Sequence, residues 1–186
     1  MPSIVLFSGP IASGKTTLAE ELIQRHHFRR LKSSDHLRSI CQQQGVEVSR
    51  ATLQDLGDRL DQETDYGWLV EDVVKPQIAA RPQQARWLID SVRKERQILH
   101  FRSAFGDDVF HVHVSAPEEV LRERFDLRMS GARHYEGATT YEDGIAHPNE
   151  TSARALANVA NLHIDLSQAA PAEAAARVVE HLAKRL

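Results

Sequence analysis

Along the chain, short unbroken apolar runs alternate with longer stretches in which apolar residues recur every three or four positions. The first run, Ile4-Val5-Leu6-Phe7, suits a strand covered on both faces. Leu18, Leu22 and Ile23 then mark one face of a helix from about Gly14 to Arg25. Phe28 to Lys32 reads as a weaker second strand. Ser33-Ser34-Asp35 opens a helix from Asp35 to about Gln44, closed by Gly45. From Ser49 to Ala80 the pattern is helical throughout, with one stripe of Leu53, Leu56 and Leu60. Gly67 breaks it, and a second stripe follows, made of Trp68, Leu69, Val73 and Val74. Arg86 to Asp90 is a third strand, Lys94 to Phe105 a helix, and Val109 to Val114 the strongest strand of all. Ser115-Ala116-Pro117-Glu118-Glu119 begins a helix that runs to about Met129, with proline and acidic residues where a first turn accepts them. The polar stretch Ser130 to Pro148, holding Gly131, Gly137 and Gly144, reads as a long, mobile loop. A helix from about Asn149 to Val159, a strand from Leu162 to Leu166 and a helix from Ala172 to Lys184 complete the pattern. Five strands separated by helices predict an α/β fold, a five-stranded parallel sheet with helices on both faces, formed by one domain over residues 1–186.

The turn after the first strand carries the chemistry. Gly9-Pro10-Ile11-Ala12-Ser13-Gly14-Lys15-Thr16 matches G-x-x-x-x-G-K-[ST] in full, directly after a predicted strand and at the start of a predicted helix. Glycines let the backbone curl until successive N–H groups point at phosphate oxygens, and the helix N-terminus adds about half a positive charge. Lys15 can reach the β- and γ-phosphates of a nucleoside triphosphate, the Thr16 hydroxyl can bind Mg²⁺, and Thr17 continues the cradle. These features predict a three-layer P-loop NTPase fold that binds ATP. Asp90, at the end of the third strand, can hold Mg²⁺ through water, or cap the next helix.

Composition narrows the class. With 186 residues, 41% hydrophobic and 26% charged, the chain is ordinary for a globular domain. No apolar run is long enough to cross a membrane, and the first residues lack the basic region of a signal peptide. Cys41 stands alone and cannot form an internal disulfide, which suggests a reducing compartment, the cytoplasm. A net charge of -3 argues against a dedicated nucleic-acid binder. Ten histidines invite a metal reading, but His26-His27, His111 and His113 lack the partners of a zinc site. Trp68 and Tyr66 can stack on a base or pack in the core.

Of the 23 basic residues, 18 are arginines, whose planar forks suit phosphate oxygens. Arg122, Arg124, Arg128 and Arg133 crowd the end of one helix and the start of the long loop. Arg124 and Arg128, four apart, share a face beside Leu121, Phe125 and Met129. Arginines at a closing lid can stabilise the charge of phosphoryl transfer, or they pair with Glu118, Glu119 and Glu123 on a solvated face. Arg38 and Arg93 follow strand ends on the side where α/β sheets bind ligands, and a second anionic group there would explain both.

Together these segments resemble the nucleoside monophosphate kinases of the P-loop superfamily. Adenylate kinase is the broad relative, and the deoxynucleoside monophosphate kinases of tailed phages are closer in layout. Asp35-His36-Leu37-Arg38 resembles the family's D-x-L-R segment, whose arginine grips the acceptor phosphate. Asp90-Ser91-Val92-Arg93 resembles its D-G-x-x-R segment, with Ser91 in place of glycine, and Arg124 to Arg128 matches the R-x-x-x-R entry to the lid. Asn161 to Ser167 resembles the final strand and the loop beside the donor base, and Arg133 and Arg154 are candidates for a second lid pair. The resemblance implies an acceptor-binding insert at about 45–82 and a lid at about 129–149.

Three functions follow. In the first, ATP phosphorylates a nucleoside or deoxynucleoside monophosphate. Lys15, Arg93, Arg124, Arg128 and Mg²⁺ stabilise the charge, Asp35, Arg38 and Arg93 hold the acceptor, and Arg124 also borders ATP. In the second, the acceptor is a hydroxyl of a nucleoside, coenzyme precursor or modified base, and Asp35 is the general base. In the third, the chain is an ATP-binding regulatory module. All three expect small-molecule nucleotides as partners.

Overall fold

The computed structural model describes residues 2–90, 92–130 and 140–185. Strands β1 (Ser3–Ser8), β2 (Arg29–Leu31), β3 (Arg86–Ile89), β4 (Val109–Ser115) and β5 (Leu162–Asp165) form one sheet in the order β2-β3-β1-β4-β5. Every pairing is parallel, with Leu6 opposite Ile89 on one side of β1 and opposite His111 on the other. The helices are α1 (Lys15–His26), α2 (Ser33–Gln43), α3 (Arg50–Glu63), α4 (Lys75–Ala79), α5 (Glu95–Phe105), α6 (Glu118–Ser130), α7 (Tyr141–Ala146), α8 (Pro148–Ala155) and α9 (Pro171–Ala183). The predicted α/β architecture is therefore present.

The unbroken apolar strands have a simple cause. Side chains alternate across a strand, and both faces of this sheet are covered. Ile4, Leu6, Trp87 and Ile89 pack on one face with Leu56, Leu69 and Phe101 from the helical insert and α5. Val5, Phe7, Leu88 and Val112 pack on the other with Leu18 and Leu22 of α1 and Ala174 and Val178 of α9. A smaller cluster joins Ile11 and Ala12 of the glycine turn to Leu121, Phe125 and Tyr141. It ties the turn to α6 and α7. Among the described residues, no helix is long and apolar enough to cross a membrane.

Two expectations change. The stretch from Ser49 to Ala80 is not helical throughout. Asp65 and Tyr66 take positive φ angles of 49° and 66°, and the Trp68 N–H caps back onto the Thr64 hydroxyl at 3.1 Å. The chain then resumes as a π-helical turn, Leu69–Val74, whose following N–H, from Lys75, reaches the Val70 carbonyl. Pro76 explains the widening: it has no N–H to give, and its ring would strike the carbonyl four residues back.

The Ser130 to Pro148 segment is not a continuous loop either. Residues 131–139 lie outside the described residues, but α7 follows, capped by reciprocal bonds between Thr140 and Asp143. Tyr141 anchors it, 1% exposed, with its ring 5.6 Å from that of Phe125. The expected lid thus contains an ordered, packed helix.

Candidate active site

The glycine turn is preformed. Gly9 sits at φ 134°, and a Cβ there would lie 2.0 Å from the Val114 carbonyl oxygen, so β4 passes too close for any side chain. Ala12 and Gly14 also take positive φ, 62° and 95°. The Ser13 N–H closes the turn on the Pro10 carbonyl at 3.3 Å. Gly14 offers no side chain to cap α1, so the first-turn N–H groups stay available to an anion. Thr16 and Thr17 are exposed at that helix start.

Lys15 is only partly exposed and curls over the turn. Its Nζ donates to the carbonyls of Gly9 at 2.7 Å and Pro10 at 2.6 Å, and to the Ser13 hydroxyl at 3.2 Å. Burial lowers its pKa from 10.5 to about 8, and the positive charges of Arg93 and Arg128 add to this. Glu150 and Asp90 oppose it. Four charged groups, Asp90 and Arg93 from the loop after β3, Arg128 of α6 and Glu150 of α8, therefore act on one ammonium.

Below the turn, the Ser8 hydroxyl meets His111 Nε2 at 2.7 Å and His113 Nδ1 at 3.0 Å. Burial lowers both imidazoles to about 4. They are therefore neutral near pH 7 and serve as buried hydrogen-bonding groups under the cradle.

The arginines divide. Arg124 donates to the Leu166 carbonyl at 2.9 Å and the Ser13 carbonyl at 3.4 Å, which braces the turn against the end of β5. Arg128 lies half-buried near Lys15. Arg122 pairs with Glu142 and covers the Tyr141 ring, so it belongs to the α6–α7 contact. Arg154 is held by Glu118, Glu150 and the Tyr141 hydroxyl. Arg133 and Ser91 lie outside the described residues. Asp90, 10% exposed, is paired with Arg30.

A cleft of about 870 Å³ opens beside the cradle between α2, α3 and the loop after β3. Its lining includes Arg38, Arg93, Asp58, Asp61, Trp68 and Asn149. Arg38 and Arg93 are thus brought to one cavity, as their positions after the strands implied. Asp35 lies outside that lining: its carboxylate is 68% exposed and faces Arg38 at 3.3 Å. Trp68 packs in the core, 4% exposed, and also forms part of the cleft wall.

Sequence reasoning missed Asp58 and Asp61. Asp61 Oδ1 accepts from Trp68 Nε1 at 2.8 Å and Gln97 Nε2 at 3.4 Å, and burial raises its pKa. A signal existed: Asp61 continues the line Leu53, Gly57 on α3, and a carboxylate on an apolar stripe is unusual. A smaller pocket of about 270 Å³ shares Asp58, Asp61 and Asn149 and adds Lys94 and His147. Glu150 was also missed. Its Oε1 accepts the Ile11 N–H at 2.7 Å, inside the phosphate turn.

Fold and cradle together define a protein of P-loop kinase architecture. Residues 5–142 match the model of the AAA domain family, AAA_18, and the chain belongs to that family. A sugar kinase from Janibacter superposes with a TM-score of 0.56 at 18% identity, over 97% of this chain and 94% of that one. Shikimate kinase from Aquifex aeolicus gives 0.57 at 13% identity, over 96% and 95%. The tunicamycin resistance protein of Deinococcus radiodurans gives 0.55 at 18%, over 98% and 96%. At these identities the likeness is one of fold. In sequence, 41 residues are 46% identical to UPF0200 protein OE_4442F of Halobacterium salinarum, and this match spans 22% of each chain.

Proposed function

We propose that the chain is an ATP-dependent kinase that transfers the γ-phosphate to a hydroxyl of a small polar acceptor held in the 870 Å³ cleft. The observation that carries this reading is the cleft's mixed charge. Asp58 and Asp61 line it together with Arg38 and Arg93, so a dianionic acceptor would meet two carboxylates as well as two cations. A neutral polyol uses both kinds of group as hydrogen-bonding partners. The sugar kinase and the shikimate kinase of the same fold are named for hydroxyl-bearing compounds. Arg93 links the two halves of the site, lining the cleft and lying close enough to Lys15 to lower its pKa.

In this reading the backbone from Gly9 to Thr17 cradles the triphosphate, and Lys15, Arg93 and Arg128 balance charge on the phosphoryl group in transfer. Arg124 holds the turn in shape. Thr16 and Asp90 supply hard oxygen donors, the set that suits Mg²⁺ alongside phosphate oxygens and water. When bound, Mg²⁺ would neutralise charge between the β- and γ-phosphates.

A second reading, a nucleoside or deoxynucleoside monophosphate as acceptor, is favoured by Arg38 and Arg93 sharing one cavity. A coupled ADP-release assay separates the two, run against sugars, cyclic polyols, nucleosides and nucleoside monophosphates. Turnover confined to hydroxyl acceptors supports the first reading. Turnover confined to monophosphates overturns it.

A further inference from the structure

We propose that Glu150 is the group that takes the proton from the attacking hydroxyl, an inference that rests on the hydroxyl-kinase reading above. Glu150 stands on α8, one residue beyond Asn149, which lines the acceptor cleft. Its carboxylate reaches the other way, to the Ile11 N–H of the phosphate turn at 2.7 Å. Glu150 is not itself part of the cleft lining; it stands between Asn149, which is, and the cradle that its carboxylate touches. The Lys15 ammonium, the group expected to reach the γ-phosphate, rests beside it on the neighbouring carbonyls of Gly9 and Pro10. The Glu150 side chain is 13% exposed, shielded but not sealed.

The other carboxylates near the site are less well placed. Asp35 is 68% exposed and its carboxylate faces Arg38 rather than the phosphate turn. Asp90 pairs with Arg30 and is one of the donors proposed for Mg²⁺. Asp61 holds Trp68 and Gln97 from α3. Asp58 lines both pockets from the same helix but, among the described residues, makes no bond to the turn. Among the described residues, Glu150 alone has a carboxylate hydrogen-bonded to the phosphate turn. Its contacts to Ile11 and to Arg154 Nε, 3.3 Å away, both fall on Oε1, which leaves Oε2 as the oxygen to receive a proton. A carboxylate beside a triphosphate needs compensation, and Lys15, Arg93, Arg128 and Arg154 supply it.

The step balances. The acceptor O–H bond breaks and its proton passes to Glu150 Oε2. The acceptor oxygen forms a bond to the γ-phosphorus as the bond to the β–γ bridging oxygen breaks, and that electron pair leaves with ADP. Glu150 then loses its proton to solvent.

Glu150→Gln tests the assignment, since glutamine keeps an Oε1 acceptor for the Ile11 N–H but takes no proton. ATP–Mg²⁺ binding is measured by calorimetry. ADP release is measured by single turnover with enzyme in excess, using water as acceptor and every compound of the panel that turns over. The expected result is a loss of about 10²–10⁴-fold in the transfer rate, with the ATP dissociation constant within about threefold of wild type. Wild-type turnover that survives Glu150→Gln undiminished overturns the assignment and leaves the kinase reading standing. So does an ATP affinity raised tenfold with an unchanged rate, which would make Glu150 a competitor of the phosphates. A wild-type protein that binds ATP but releases no ADP to any acceptor overturns the kinase reading itself, and the role of Glu150 with it.

Discussion

Replacing Lys15 by methionine should abolish phosphoryl transfer and yet stabilise the protein near neutral pH. Burial and nearby positive charge lower the Lys15 pKa from 10.5 to about 8. When a lysine's folded pKa lies below its unfolded one, the unfolded chain binds more protons between the two values. Stability then rises with pH across that interval, here about pH 8 to 10.5, and the full cost is borne below it. One pKa unit corresponds to about 1.36 kcal/mol, so the whole shift amounts to roughly 3 kcal/mol. Lys15 keeps partial contact with water, which reduces that figure. Methionine also leaves the Gly9 and Pro10 carbonyls without their donor, at about 1 kcal/mol each. A net gain of at most about 1 kcal/mol remains, or at most about 2–4 °C in Tm for a domain of this size. Thermal unfolding by circular dichroism at pH 7 and at pH 10.5 measures it, with ADP release followed in parallel. The variant should melt slightly higher at pH 7, the gap should close and reverse by pH 10.5, and turnover should fall by at least about 10²-fold. A variant that melts lower at pH 7, or a gap that widens with pH, would refute the account of Lys15 as a cation held at a cost.

Three other outcomes are expected. Gly9→Ala puts a Cβ 2.0 Å from a backbone oxygen, whereas in Gly14→Ala the obstacle is the Leu166 Cδ1 at 2.8 Å, which can swing away. Urea unfolding should therefore show a loss for Gly9→Ala above the roughly 1–3 kcal/mol of backbone strain alone, and a smaller loss for Gly14→Ala; equal losses would count against this geometry. Asp61→Asn keeps an acceptor for Trp68 Nε1 and removes a charge that burial disfavours, so it should cost less than Asp61→Leu, which orphans that donor at about 1–3 kcal/mol. Chemical denaturation at pH 7 ranks the two. Finally, His111 and His113 have pKa values lowered from 6.5 to about 4, so the stability they contribute is full above pH 6.5 and is lost as pH falls toward 4. His113→Asn should flatten that decline by up to about 3 kcal/mol, read from denaturation midpoints at pH 7 and pH 4.

The strands were legible because both sheet faces are covered, which turns Ile4-Val5-Leu6-Phe7 and Val109 to Val114 into unbroken apolar runs. The cradle was legible for a different reason: its geometry demands glycine at Gly9, where a neighbouring strand excludes any side chain. What periodicity missed lies where the backbone leaves ideal geometry or where a contact spans the chain. The turn at Asp65 and Tyr66 is non-glycine residues at positive φ, which no local pattern announces. The helix α7 had a signal in the Thr140–Asp143 cap, but three glycines in the surrounding stretch outweighed it. Glu150 meets Ile11 across 139 residues, and no local spacing encodes such a pairing.

The excess of arginine over lysine finds a physical use that phosphate binding alone does not supply. Arg86 donates to the His26 carbonyl at 3.0 Å, Arg102 to Val159 at 2.8 Å, Arg124 to Leu166 at 2.9 Å and Arg185 to Val109 at 3.1 Å. These acceptors lie at or beside the ends of helices and strands, where carbonyls lack regular partners. A planar fork with five N–H groups can satisfy such a carbonyl and still pack its stem along the apolar wall, as Arg86 does over the Phe28 ring and Arg185 over Phe110. Arg124 belongs to this bracing group by its bonds, although its position in the sequence marks it as a phosphate ligand. In the proposed site the arginines nearest Lys15 are then Arg93 and Arg128, both close enough to shift it, while Arg38 lines the cleft with Arg93. Loss of Arg124 should therefore distort the turn and weaken ATP binding. Loss of Arg93 should slow transfer, because it belongs to both halves of the site.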